Sequence, residues 1–127
     1  MTKWPAHFPA ECPFKESWEA TGDIYRLVEN DPPSPSDFLS LREQNPKRGP
    51  YPDPVHECMA CGLSVFVKSE DIDLHRQTSK KLRDRKIAKT TLAEVLGRVA
   101  RTGRTAGHHT WWLPEGSPNP CQSFAVI

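Results

Sequence analysis

Hydrophobic and polar positions alternate with a period of two in four stretches of the chain, the pattern of strands with one face buried. In Asp23-Ile24-Tyr25-Arg26-Leu27-Val28-Glu29, one side carries Ile24, Arg26 and Val28 and the other Tyr25 and Leu27. Leu63-Ser64-Val65-Phe66-Val67 is rich in β-branched and aromatic residues and suits a central strand. His108-His109-Thr110-Trp111-Trp112-Leu113 places one imidazole and one indole on each face. A last strand is expected over 121–127 through Phe124, Val126 and Ile127.

Helical spacing enters between the second and third of these stretches. Ser69 has the character of an N-cap, with Glu70 and Asp71 in the first turn, where the helix dipole favours acids. The helix it opens carries Ile72 and His75, and the basic stretch Arg76–Lys89 is expected to continue it. Leu92, Val95, Leu96 and Val99 fall at i, i+3, i+4 and i+7, the spacing of a core-facing helical stripe. A short helix around Phe38, Leu39 and Leu41, capped by Ser36 or Asp37, is expected to end at Asn45-Pro46. The expected fold is therefore α+β: one small domain over 1–127, a mostly antiparallel sheet near 23–29, 62–67, 108–113 and 121–127, and one or two helices between 69 and 100 on one face.

Proline changes this outline in two places. In residues 1–20, Trp4, Phe8, Phe14 and Trp18 alternate with Pro5, Pro9 and Pro13, which favours an extended strap laid over the domain. Residues 30–54 form a proline-stiffened connection, suited to a flap over a site or to surface wrapping. With 13 prolines and 36% hydrophobic residues in 127, the core is modest.

Charge is regional. Residues 68–104 hold eleven Lys and Arg against five Asp and Glu, about +6, while the whole chain is +1. Such a run arises as a solvated helix face or as a surface for phosphate, and Arg76–Lys89 with an exposed Trp111 would suit nucleic acid. A near-neutral pI of about 7.7 argues against a general nucleic-acid binder. No apolar run approaches a membrane span and the first residues lack a secretory signal, so the expectation is a cytoplasmic chain with no membrane partner. In that setting its four cysteines are expected as reduced thiols or metal ligands, with Cys12 and His7 as buried fillers.

Candidate chemistry falls at three points. Cys58-x-x-Cys61-Gly62 has the form of half a zinc knuckle, in which two thiolates chelate one ion. Closure would require His56, Cys12, Cys121 or His108/His109; the alternative is a buried pair of thiols. Arg26 shares a face with aliphatics, either covering apolar surface with its stem or aiming its guanidinium at a phosphate or carboxylate. His108 and His109 are candidates for proton exchange, and no nucleophile elbow, phosphate-cradling Gly loop, HExxH or nucleotide fingerprint accompanies them.

The order of a strand with Tyr25-Arg26, a strand Gly62-Leu63-Ser64-Val65-Phe66 running into a capped helix, and the His108–Leu113 strand resembles the ADP-ribosyltransferase fold. That resemblance implies a small split β-sheet that clamps a nicotinamide dinucleotide (NAD). It implies that Tyr25 and Arg26 hold the dinucleotide and that Ser64 supports the nicotinamide ribose. The family's catalytic Glu has no counterpart on the His108–Leu113 strand, and Glu115 just beyond it is the nearest substitute. The expected site is a cleft bounded by Arg26, Ser64 and His108 or His109, with Trp111 or Trp112 stacking on a ring of a small anionic or nucleotide ligand. The rival reading is a nucleic-acid- or protein-binding module stapled by zinc through Cys58 and Cys61.

Overall fold

In a computed structural model describing residues 2–127, seven antiparallel strands form one sheet in the order β1-β5-β6-β3-β2-β4-β7. They are β1 (Trp18–Glu19), β2 (Gly22–Val28), β3 (Leu63–Phe66), β4 (Lys86–Leu92), β5 (Arg98–Arg101), β6 (His108–Trp112) and β7 (Ala125–Val126). Three helices accompany them: α1 (Leu41–Gln44), α2 (Pro54–Ala60) and α3 (Ser69–Gln77). The architecture is the expected α+β domain. The strands expected near 23–29, 62–67 and 108–113 are present, and the last is shortened because Pro120–Gln122 forms a 3₁₀ turn before β7.

Between 78 and 101 the structure departs from the helical expectation. The helix α3 ends at Gln77, capped by Thr78, and the basic segment re-enters the sheet as β4, which pairs with β2 from Gly22↔Leu92 to Val28↔Lys86. Ile87, Thr90 and Thr91 are β-branched, and seven residues of ladder outweigh the helical spacing of Leu92, Val95, Leu96 and Val99. Val99 lies on β5, beyond a turn at Gly97 whose φ is +77°. A Cβ at Gly97 would stand 2.0 Å from the Trp112 carbonyl oxygen, so only glycine fits this approach.

Alternation sorts the sheet into two unlike faces. One carries Ile24, Val28, Leu63, Val65, Ala88, Val99 and Trp111, covered by Phe38 and Phe124. The other divides into two apolar patches. Ala100 and Trp112 pack beneath Trp4, Phe8 and Phe14 of the N-terminal strap, while Tyr25, Phe66 and Ile87 pack beneath Ile72 of α3. Between the patches runs a polar strip of Ser64, His108 and Thr110, set by the pairings Ser64↔Thr110 and Phe66↔His108.

A disulfide between Cys12 and Cys58, with Cα atoms 5.5 Å apart, fastens the strap to α2. This corrects the expectation of reduced thiols: Cys12 is a cross-link, and its partner is half of the Cys-x-x-Cys element. The proline-rich connection is also tied down. Arg42 of α1 donates through Nε and Nη2 to the Glu57 carboxylate of α2 at 2.9 and 2.8 Å, and the Tyr51 amide donates to the same carboxylate. Both side chains are nearly buried, so the exposed excursion over 45–53 is anchored at its base by one forked ion pair.

Two outcomes follow from these ties. Replacing Cys12 and Cys58 together by Ser should lower the unfolding free energy by about 3–4 kcal/mol in urea titrations, as expected for opening a 46-residue link. The Arg42 fork holds Glu57 down at about 2, against an ordinary 4.5, so its stabilisation is full above pH 4.5 and is lost as pH falls towards 2. Glu57→Gln should therefore be less stable than the natural protein at pH 7 while showing a flatter acid limb in Tm against pH.

Candidate functional site

The strands β2 and β3 meet at one pair, Tyr25↔Phe66, and then diverge. The Ser64 carbonyl beyond that pair has a side chain as its partner: Arg26 Nη1 donates to it at 2.7 Å, and Arg26 Nε donates to the Asp37 carbonyl at 2.8 Å. The guanidinium thus bridges the split, with its carbon 5.7 Å from the centre of the Phe38 ring. Its stem shares the apolar face with Ile24 and Val28, and its head lies at a cavity, donating to two backbone carbonyls and not to the carboxylate or phosphate that one expectation gave it. Burial pulls Arg26 down to about 10, with Asp37 opposing and Arg85 reinforcing the shift, so it is a cation at neutral pH.

That cavity, about 190 Å³, is lined by Arg26, Leu27, Ser64, Phe66, His75, Leu82, Arg85 and His108. Ser64 Oγ lies 2.6 Å from His108 Nε2. On the other side of the ring, Nδ1 is 3.1 Å from the Thr102 carbonyl. A carbonyl only accepts, so Nδ1 carries the hydrogen, Nε2 is the free lone pair, and the Ser64 hydroxyl donates to it. The Thr102 hydroxyl is 2.7 Å from that of Thr110 and completes the strip behind the ring. Burial lowers His108 from its ordinary 6.5, the Thr102 carbonyl opposes, and His75 and His109 add to the lowering. The resting imidazole at neutral pH is therefore neutral. Gly107 sets the start of β6 at φ +77°, where a Cβ would strike the Asp71 carboxylate of α3 at 2.3 Å.

A second cavity of about 280 Å³ shares Arg26, Leu27 and Arg85 with the first and adds Glu29, Ser36, Asp37 and Gln44. The two guanidiniums stand where the cavities adjoin. Arg85 pairs with Glu29 at 3.0 Å and keeps about a third of its side chain exposed. Asp37 is occupied by the amides of Glu29 and Ser34 and by the Asn30 side chain, bonds that, against the upward push of burial, hold its carboxyl below the usual range.

Other expected site residues lie elsewhere. Trp111 and Trp112 are both 0% exposed, and their indole N–H groups donate to the Leu96 and Cys58 carbonyls. Neither can stack on a ligand; adjacent residues of a strand between two covered faces are both core. His109 points to the opposite face from His108, is buried, and lies 2.7 Å through Nδ1 from the Gly107 carbonyl. Tyr25 is buried against Phe66, with Lys89 over its ring. Glu115 lies beyond the far end of β6 and pairs with Lys3 at 3.6 Å, outside the cavity.

The metal expectation is also corrected. Cys58 is bonded to Cys12, and Cys61 is pushed up to about 12 by burial and by Glu57, whose carboxylate accepts its S–H. A protonated thiol facing a carboxylate is no thiolate ligand. Among the described residues no group of three or more His, Cys, Asp or Glu is placed to hold an ion. Within the basic segment, Arg76 pairs with Asp73 and Lys89 with Asp23, and Lys86 donates to the Glu29 carbonyl.

Three cavity residues, and the Thr102 that backs His108, have weaker signals in the sequence. Phe66 is readable as the neighbour of Ser64 on the same strand face. Arg85, His75 and Thr102 arrive from a loop, a helix and a strand end whose positions depend on the β4 and β5 pairings. In a proton NMR titration, the His108 midpoint should fall below 6.5, with protonation opposed by the dry surroundings; a midpoint at or above 6.5 contradicts the buried relay.

No family model, curated protein or solved structure matches this chain.

Proposed function

We propose that the split between β2 and β3 is a binding cleft for a phosphate-bearing nucleotide, with an NAD-type dinucleotide as the ligand class. The observation that carries this reading is the convergence of Arg26, Ser64 and His108 on one cavity, although Ser64 is 38 residues from Arg26 and 44 from His108. Side chains so far apart in the chain meet in a gap that a plain antiparallel sheet would have closed with backbone hydrogen bonds.

The arrangement suits a two-ended ligand. Arg26 has five N–H donors and commits two, and Arg85 stands beside it where the cavities adjoin. A diphosphate there leaves one ring for the cavity of Phe66, His75 and His108, and a ribose for the polar cavity of Ser36 and Gln44. The resemblance of the Tyr25-Arg26 and Gly62–Phe66 strands to ADP-ribosyltransferases supports the same ligand class and makes ADP-ribosyl transfer the enzyme reading. In that reading His108, not the remote Glu115, is the proton-exchanging group at the ligand. Burial of Trp111 takes away the stacking residue that the nucleic-acid reading named.

Calorimetric titration with NAD and with ADP-ribose should show saturable binding. Ligand at about 100 times its Kd should add about 2.7 kcal/mol of stability. Arg85→Gln, at a part-exposed position, should weaken binding by about tenfold or more through loss of a charge-assisted contact. Absence of stabilisation by either ligand at millimolar concentration, or a salt-sensitive response to oligonucleotide in its place, overturns the proposal.

A further inference from the structure

Ligand binding alone leaves the chemistry of Ser64 unused. A serine hydroxyl becomes nucleophilic when a neighbouring base takes its proton, and the base is effective when a third group fixes its tautomer. Both relations are present here, and the hydroxyl is accessible. The hydroxyl lies 2.6 Å from Nε2, the opposite nitrogen is held by the Thr102 carbonyl at 3.1 Å, and the hydroxyl stands in the cavity. We propose that Ser64 is a nucleophile, activated by His108, that attacks a phosphorus centre of a phosphoester or phosphoanhydride held in the cleft.

The choice of phosphorus rests on the anion-binding reading above and on what surrounds the hydroxyl. The cavity wall contains Arg26, Arg85 paired with Glu29, two imidazoles and no carboxylate, so it suits a negatively charged electrophile. Arg26 reaches the carbonyl of Ser64 itself, which sets a cation within one residue of the attacking oxygen. On the α3 wall, His75 Nδ1 is buried and has no hydrogen-bond partner, although its ring packs 5.2 Å from Phe66. A buried nitrogen left without a partner costs free energy, so this ring, on the cavity wall, has hydrogen-bonding capacity that the protein itself does not use.

In the first step the Ser64 Oγ–P bond forms as the bond from phosphorus to the leaving oxygen breaks. The hydroxyl proton passes to His108 Nε2 and from there to the leaving oxygen. Water then attacks the phosphoserine through the same base, returns a proton to Oγ and regenerates the enzyme, so the net reaction is hydrolysis with no change of oxidation state. His108 acts only when neutral. Arg26 on β2, Arg85 before β4 and His75 on α3 share its cavity, and Asp71 of α3 lies against Gly107 at the start of its strand; burial, His75 and His109 oppose a further positive charge, and the Thr102 carbonyl favours it.

The test treats the full chain with diisopropyl fluorophosphate, in which fluoride is the leaving group, and follows the adduct by intact mass and peptide mapping. One adduct should form, on Ser64, with the exposed Ser69 unmodified. His108→Gln, checked for folding by circular dichroism, should slow modification by about 100-fold. In the natural protein the rate should rise with pH and level off below pH 6.5, a readout that does not depend on a variant folding. Modification of Ser64 no faster than of Ser69, no effect of a folded His108→Gln, or a rate that climbs with hydroxide without levelling overturns the proposal. Failure of labelling with NAD binding intact removes the nucleophile and leaves the nucleotide reading standing; labelling without dinucleotide binding does the reverse.

Discussion

Everything near the cleft depends on Arg26 standing where a strand ladder should continue. The strands β2 and β3 share one pair, and beyond it the Ser64 carbonyl is met by a side-chain donor. The guanidinium supplies that donor and a second one to the Asp37 carbonyl, so a single cation closes two backbone accounts and keeps the strands apart. A methylene-rich stem packed among aliphatics on one face, with a charged head in the gap, is something only Arg or Lys can provide. The planar fork of Arg also satisfies two carbonyls at once.

The remainder of the fold holds that gap open without filling it. Trp111 and Trp112 brace opposite faces of β6, each with its indole N–H bonded to a backbone carbonyl, so the strand that presents His108 is fixed from both sides. The disulfide keeps the aromatic strap over Trp112, and α3 covers Phe66. The polar strip of Ser64, His108 and Thr110 runs between these two covers. Its members are bonded to one another through Thr110, Thr102, His108 and Ser64, a chain that orients the hydroxyl while leaving it reachable.

Legibility in the sequence varied with the range of the interaction. Period-two alternation is a local signal, and it located β2, β3 and β6 to within a residue or two. It also separated His108 from His109, since neighbours on a strand face opposite ways. The basic segment misled because Leu92, Val95, Leu96 and Val99 have helical spacing by coincidence, across a turn at Gly97 that divides two strands. Cys58-x-x-Cys61 misled for a related reason: the spacing implies a shared partner, whereas Cys58 is bonded to a residue 46 positions away and Cys61 to a carboxylate one helical turn back.

By itself, the sequence determined the α+β class and the faces of three strands, and it marked Arg26, Ser64 and the His108/His109 pair as candidates, because side-chain chemistry and alternation are written locally. Tertiary structure alone decided that these three meet at one cavity, that both tryptophans are core, that Cys58 is a cross-link, and that His75 and Arg85 join the wall. Those facts depend on strand order and on how far β2 diverges from β3, and both are set by non-local pairing whose partners no single stretch of chain specifies.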